Sequence, residues 1–368
     1  MNKSRQTDNP VKALMRKLLR LAIYINVIFN LGKRQEFSGP NVFYGGARSG
    51  NVGGPLVKVK RLKEFFPEHR FNFNLVYTLS NTPYLSEQAL RHIKKKNIPL
   101  VLNQNGVFYP GWFGSNWAKH NLIMSKAYHS ADHVFWQSEF CRRSADKFLG
   151  ARNKPGEILY NAVDTERFYP LKQKQPGKPV TFLITGKIGQ HLNYRLKSTI
   201  TALAEARNSG LDAKLLISGW IETPYLINEF AKSLGLTDFI HFSGPYTQEQ
   251  APFIYRSADI YVTMKYLDPC PNAVLEAMAC GLPVLYSASG GTPELVGRAA
   301  GIGLSVPENW YKIHVPSSQV ICSAMMEIAK THTKMGVYAR RRATTQFGIK
   351  KWIDRHQTIF SSLLESSK

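Results

Sequence analysis

The sequence predicts an α/β protein of two domains, each a parallel sheet covered by helices, and three observations lead there. The 368 residues suit two domains of ordinary size, and 43% hydrophobic residues are enough to fill both cores. Short apolar runs alternate with longer amphipathic stretches from residue 41 onward, the pattern of βα units. That alternation breaks at the polar, Pro/Gly-bearing stretch LKQKQPGKP, residues 171–179, and then restarts.

Taken in order, the chain opens with VKALMRKLLRLAIYINVIFNL, Val11 to Leu31. Lys12, Arg16, Lys17, Arg20, Asn26 and Asn30 interrupt it too often for a bilayer span. The lack of an A-x-A-like cleavage site argues against a signal peptide. Read as a helix, it has Lys12, Arg16 and Arg20 on one face and Leu14, Leu18, Leu21, Ile25 and Ile28 roughly opposite. A basic amphipathic helix of this kind can rest among lipid headgroups, or it can pack on its own domain. Strands are expected at Asn41–Tyr44, Phe73–Tyr77, Pro99–Asn103, His133–Gln137 and Glu157–Tyr160. Helices are expected over 53–66, Ser86–Lys96, His120–Ser130 and Ser138–Phe148. Beyond the linker, strands are expected at Val180–Thr185, Lys214–Ser218, Ile240–Phe242, Ile260–Thr263 and Val284–Tyr286. The intervening helices are Lys197–Asn208, Tyr225–Leu234, Glu249–Ser257, Asn272–Cys280 and Thr292–Val296. Parallel sheets bind ligands beyond the carboxyl ends of their strands, so two such sheets predict a site between domains.

Lys and Arg number 48 against 25 Asp and Glu, a formal charge of +23 that calls for an anionic partner. The surplus is uneven. Residues 1–160 hold 25 basic and 9 acidic residues, net +16, which leaves 23 and 16, net +7, for the rest. Nucleic acid is not the expected partner, because no RRM, KH or helix-turn-helix signature is present. Cys141, Cys270, Cys280 and Cys322 stand alone, without the spacing of a disulfide framework or zinc site, which points to a reducing cytosol.

From Ala258 the chain reads ADIYVTMKYLDPCPNAVLEAMACGLPVLYSASGGTPELVG. This resembles the C-terminal signature of family 4 glycosyltransferases, retaining nucleotide-sugar enzymes of the GT-B fold, in which two acidic residues flank seven others. Here the pair is Asp268 and Glu276, where the family usually has Glu at the first place. ADHVFWQSEFCRRSADKFLG (131–150), ILYNAVDTERFYP (158–170), LITGKIG (183–189) and RATTQFGIKKWIDRHQTIFSSLL (342–364) extend the resemblance over most of the chain. It implies two Rossmann-like βαβ domains facing a central cleft. A basic amphipathic segment, 1–35, would precede an acceptor-side domain, 36–170, completed by C-terminal helices at 342–368. The nucleotide-sugar domain would be 171–341.

The resemblance also implies roles. Glu276 would bond the donor ribose and Asp268 the donor sugar. A departing diphosphate carries growing negative charge that the enzyme must stabilise. The family's cations for it are an Arg after the first glycine of the second domain and a Lys farther on. Lys187, after Gly186, holds the first place, and the second falls to Arg195 or Lys197. Lysine at 187 keeps the charge but loses bidentate geometry. No D-x-D cluster or metal-ligand spacing stands out, so no metal and no cofactor is expected. Pro271, Asn272 and Ala273 open a helix whose first backbone N–H groups can accept the diphosphate or a sugar hydroxyl, with Asn272 as cap. Lys265 can sit at the same rim, and Cys270 and Cys280 are expected to pack.

In the first domain, Gly45, Gly46 and Arg48 lie in a glycine-rich loop after a strand, which the resemblance places near the diphosphate and the acceptor. Asn105 follows the third strand. Tyr109, Trp112, Phe113 and Trp117 are candidates to stack on an acceptor sugar, and His120, His129 and His133 are candidate bases. The expected activity is retaining transfer to a cell-surface or lipid-linked saccharide on the cytoplasmic face of a membrane, peripherally bound at an anionic surface. The competing readings are a nucleotide-sugar epimerase or phosphorylase of the same fold, and a non-enzymatic membrane- or nucleic-acid-binding protein.

Overall fold

The computed structural model describes residues 10–31, 39–50, 53–171 and 179–367 and divides the chain into two compact α/β units. The first runs to Tyr160 and is completed by Trp310–Lys312 and the chain from Lys350; the second holds Asn161–Asn309 and Ile313–Ile349.

In the first unit α1 (Pro10–Ile28) precedes β1 (Val42–Phe43), α2 (Gly54–Phe65), β2 (Leu75–Leu79), α3 (Glu87–Lys95) and β3 (Leu100–Gln104). Then come α4 (Pro110–Phe113), α5 (Trp117–Ser130), β4 (His133–Trp136), α6 (Glu139–Leu149) and β5 (Gly156–Ile158). The five strands are parallel and lie in the order β1-β2-β3-β4-β5. β2, β3 and β4 are buried along their whole length, as expected of strands covered on both faces. Ser86 and Ser138 start α3 and α6 by accepting the N–H three residues on, and Asn97 ends α3 in the left-handed region.

In the second unit β6 (Val180–Thr185), α7 (Tyr194–Asn208), β7 (Ala213–Ser218), α8 (Pro224–Ser233) and β8 (Ile240–Gly244) form one run. A second run follows: α9 (Ala251–Arg256), β9 (Ile260–Thr263), α10 (Asn272–Ala279), β10 (Val284–Ala288), α11 (Thr292–Val296) and β11 (Gly301–Ser305). The parallel order is β11-β10-β9-β6-β7-β8. α12 (Ser318–Gln346) packs on α7, α10 and β11, and α13 (Ile349–Glu365) ends the chain.

By contacts the first unit runs to Tyr160 and resumes at Lys350, within ten residues of the expected divisions at 170 and 342. Several expectations are corrected. Trp310–Lys312 belongs to the first unit, because the Trp310 indole is buried there against Tyr109, Phe140 and Phe148. The N-terminal helix is not a separate segment: Ile23 and Val27 lie in the first core. α4 and β11 were not expected; α4 is one turn long, and GIGLS lacks a run of strand-forming residues. α7 begins at Tyr194, a turn earlier than read. Residues 172–178 of the expected linker, and residues 1–9 and 32–35 of the expected N-terminal segment, lie outside the described residues.

Candidate active site

Strand order decides where a ligand fits the second unit. β6 and β9 are neighbours, and the chain winds outward from them in opposite directions, to β7 and β8 on one side and to β10 and β11 on the other. At such a reversal the connections leave the carboxyl ends in opposite directions and a crevice opens between them. The carboxyl end of β6 runs into Gly186 and Lys187, and that of β9 into Met264 and Lys265.

Arg195, one residue into α7, is 5% exposed, and its enclosed Nε meets no acceptor. Among the described residues no carboxylate pairs with its guanidinium. A buried guanidinium without an anion is costly, so the position is suited to a ligand that brings one. Lys197 differs. It is exposed, and its Nζ lies 5.1 Å from the centre of the Phe230 ring on α8. Residues two apart on a helix do not share a face, so the expectation that Lys197 reaches the strand ends is not met.

Glu276 is 7% exposed on α10. The Tyr255 hydroxyl donates to its Oε2 at 3.0 Å. Thr185 Oγ1 lies 3.2 Å from that hydroxyl and 3.1 Å from the Tyr261 hydroxyl. Since Tyr255 gives its proton to the carboxylate, it accepts from Thr185, whose oxygen in turn accepts from Tyr261. Burial pushes the Tyr255 and Tyr261 phenols well above their ordinary range, so both remain protonated donors. The relay fixes the Oε2 side of the Glu276 carboxylate. Sequence reading missed Tyr255, Thr185 and Tyr261; the available signal was three hydroxyls on otherwise apolar buried segments, each needing a partner.

Asp268 is held through its backbone. Leu267 adopts φ +50, unusual for a buried leucine, and its N–H donates to Ser289 Oγ at 3.1 Å. Gly290 has φ +67, and a Cβ there would lie 2.4 Å from the Asp268 carbonyl oxygen. Glycine is required at that approach. The Asp268 side chain pairs with Lys265, Nζ to Oδ2 2.6 Å, so Lys265 neutralises the acid at the rim.

Pro271, not Asn272, occupies the N-cap of α10, and no side chain caps the helix. Asn272 and Ala273 form its first turn, and the enclosed Asn272 Oδ1 meets no donor. The side-chain amide of Asn161 tethers this loop, its Nδ2 donating to the Cys270 carbonyl at 2.9 Å; Cys270 and Cys280 are buried packing residues. Gly186 has φ +128 and open space where a Cβ would point, and its carbonyl is approached by Gly219. Lys187 is exposed, with Nζ 4.9 Å from the Trp220 ring centre. Among the described residues no three His, Cys, Asp or Glu stand together as metal ligands would.

The carboxyl edge of the first sheet is built from amides. Lys58 of α2 donates to Asn103 Oδ1 at 2.7 Å and to Asn105 Oδ1 at 3.2 Å. Gln137 Nε2 donates to Asn103 Oδ1 at 3.1 Å and also to Asn105. Asn105 N donates to Ser80 Oγ at 2.9 Å, and its Nδ2 to Asn81 at 2.6 Å. Asn105 was foreseen; Lys58 and Gln137 were not. Gly46, with φ +84, is pressed against Ile23, where a Cβ would lie 2.2 Å from Cδ1, so close packing on α1 explains its glycine. Gly45 also has a positive φ, and Arg48 is exposed. Phe108, Trp112, Phe113 and His120 stack on one another, and Tyr109 packs on Trp310. His129 bonds the Leu149 carbonyl at 2.7 Å, and His133 starts β4 at the opposite, amino edge. Of the three histidines only His120, in the first turn of α5 and packed on Phe108 and Phe113, lies on the side of the β3 carboxyl end.

Two parallel-sheet, Rossmann-like units with this site define the GT-B class of fold. The sucrose-phosphate synthase tll1590 from Thermosynechococcus elongatus aligns with a TM-score of 0.63 at 16% identity, over 81% of this chain and 75% of that one. Anabaena Alr3699/HepE, solved in complex with UDP, aligns at 0.62 and 17% identity, over 84% and 82%. The family described as Glycosyltransferase Family 4 matches residues 11–167, and Glycosyl transferases group 1 matches 167–341. Each match covers a little under half of the chain and together they span most of it, so the chain is a family 4-like glycosyltransferase. The N-acetyl-alpha-D-glucosaminyl L-malate synthase of Bacillus anthracis is 24% identical over 59% of this chain and 56% of its own length, so the chain matches little more than half of that relative.

Proposed function

We propose that the chain is a retaining glycosyltransferase that moves a sugar from a nucleoside diphosphate sugar to a hydroxyl of a cell-surface or lipid-linked saccharide. The observation that carries this reading is the buried Arg195 guanidinium, without a carboxylate partner among the described residues, at the reversal of a parallel sheet whose neighbouring acid, Glu276, is already fixed by tyrosine. Arg195 and Lys187 take the diphosphate, and the first turn of α10 offers N–H donors to it. Glu276 holds the ribose and Asp268 the transferred sugar, with Lys265 paired to that acid. As the sugar–phosphate bond breaks, negative charge grows on the leaving diphosphate, and fixed cations stabilise it more than the ground state. The acceptor proton passes to the departing phosphate, so the scheme asks no base of the protein.

These cations take the part that a divalent ion plays in other transferases, so EDTA leaves turnover unchanged in this scheme. Among the described residues no helix is long and apolar enough to cross a membrane. We place the reaction on the cytoplasmic face of a membrane, reached peripherally. The UDP bound by Alr3699/HepE makes uridine donors the first to try.

The test is a thermal-shift panel of nucleotide-sugars followed by NMR of the transferred product. A donor at about a hundred times its Kd adds close to 3 kcal/mol of stability, several degrees for a domain of this size. No shift with any nucleotide-sugar, or a product of inverted configuration, overturns the reading.

A further inference from the structure

α1 packs with its apolar side turned outward. Val11, Leu14, Leu18, Leu21, Ile25 and Phe29 are all exposed, Leu18 at 57%, and at 100° per residue they fall within about 80° of arc. The packed side carries Ile23 and Val27, with Arg20 donating to the Pro83 carbonyl at 3.5 Å. The helix is firmly mounted. Lys96 Nζ donates to the carbonyls of Val27, Ile28 and Asn30 at its C-terminus (3.4, 2.9 and 3.2 Å), and the Asn30 amide pairs with both backbone groups of Phe73. A mounted helix that shows water a continuous apolar stripe marks an interaction surface.

Charge selects the occupant. α3 packs beside α1 and turns Arg91, Lys94 and Lys95 to solvent. A second copy seated on the stripe would bring these cations against their own counterparts, whereas an anionic bilayer offers hydrocarbon to the stripe and phosphate to the lysines. We propose that the α1 stripe inserts at the acyl boundary of an anionic membrane while Arg91, Lys94 and Lys95 of α3 lie on its headgroups. This names the surface behind the peripheral placement proposed above and rests on that reading only for its biological purpose.

The full chain is floated with phosphatidylcholine vesicles containing or lacking phosphatidylglycerol. Wild type is expected to float with the anionic vesicles alone. Leu18→Glu with Ile25→Glu, and separately Lys94→Glu with Lys95→Glu, are expected to lower partitioning at least about tenfold without moving the melting temperature, since all four side chains are exposed. Failure to float, equal binding to neutral vesicles, variants that float like wild type, or a stripe-dependent dimer at sedimentation equilibrium overturns the proposal. Transfer to a short soluble saccharide, measured in the same variants, separates the two ideas. It should stay within about twofold of wild type, and lost flotation with intact transfer confirms docking as a distinct function. Flotation without any transfer activity in wild type refutes the enzymatic reading and leaves the docking surface standing.

Discussion

The two sheets solve the same architectural problem but treat charge differently at their carboxyl edges. The five-stranded sheet keeps sequence order from β1 to β5, and its edge is lined by amides around Lys58. The six-stranded sheet reverses between β6 and β9, and its edge gathers Arg195, Glu276 and Asp268. A reversal makes room for a charged ligand, and buried charges gather where a ligand can complete them. An edge of amides can bond neutral hydroxyls without a counter-ion, the chemistry expected of an acceptor side.

The sharpest break of this contrast is in the second unit. Glu276→Ala is expected to lower transfer at least about a hundredfold, and Arg195→Ala by a similar or larger factor, the size seen when a fixed electrostatic contact to a transition state is lost. Steady-state kinetics with a saturating acceptor measures both. Activity within tenfold of wild type in either variant refutes the role given to that residue.

The first unit's interior should instead reveal itself through pH. His356 is fully buried among aromatic rings, its Nδ1 donating to the Trp352 carbonyl at 2.8 Å and its Nε2 facing the Tyr77 hydroxyl at 3.3 Å. Burial, with a smaller push from Lys58, drives its pKa down to about 3. The folded state therefore stays neutral where the unfolded state, near 6.5, takes up a proton. Stability is fully present above pH 6.5 and is lost as pH falls toward 3. By pH 4.5 the loss from this residue is about 3 kcal/mol. Urea midpoints at pH 7 and 4.5 test it, and His356→Gln should flatten the difference. An unchanged slope in that variant removes His356 as the cause.

The contrast also explains what was legible from residues alone. Asp268 and Glu276 sit in one contiguous signature, so spacing located them before any fold was known. Tyr255, which fixes Glu276, lies 21 residues earlier on another helix, and only the packing of α9 against α10 joins them. Lys58 and Gln137 reach Asn105 from distant elements in the same way. The faces of α1 were readable, but not which would pack: Ile23 and Val27 share a side with Arg20, so the mount was hidden beneath the basic face. Asn272 looked like a cap because capping statistics favour it, yet Pro271, with an extended ψ of 115, takes that position.

A smaller effect isolates the backbone support of Asp268. A Cβ at Gly290 meets the Asp268 carbonyl oxygen at 2.4 Å and its nitrogen at 2.7 Å, in a left-handed conformation. Neither backbone atom can rotate away, so Gly290→Ala must displace Asp268. Transfer is expected to fall about tenfold, with donor binding to the nucleotide half little changed. Equal losses of UDP affinity and turnover would show a collapsed loop rather than a misplaced acid.

The smallest effect is the most discriminating, because it compares two cations on one helix. Lys197→Ala removes an exposed ammonium that lies over Phe230, on the face away from Arg195. An exposed cation over an aromatic ring contributes about 0.5–1 kcal/mol. The melting temperature should therefore fall by a few degrees at most, and UDP affinity should stay within about twofold of wild type. Calorimetric titration of UDP into Lys197→Ala and Arg195→Ala reads the difference directly. If the two variants lose affinity equally, burial does not mark the diphosphate cation, and the distinction between an enclosed guanidinium awaiting an anion and a solvated lysine fails at the point where it was drawn.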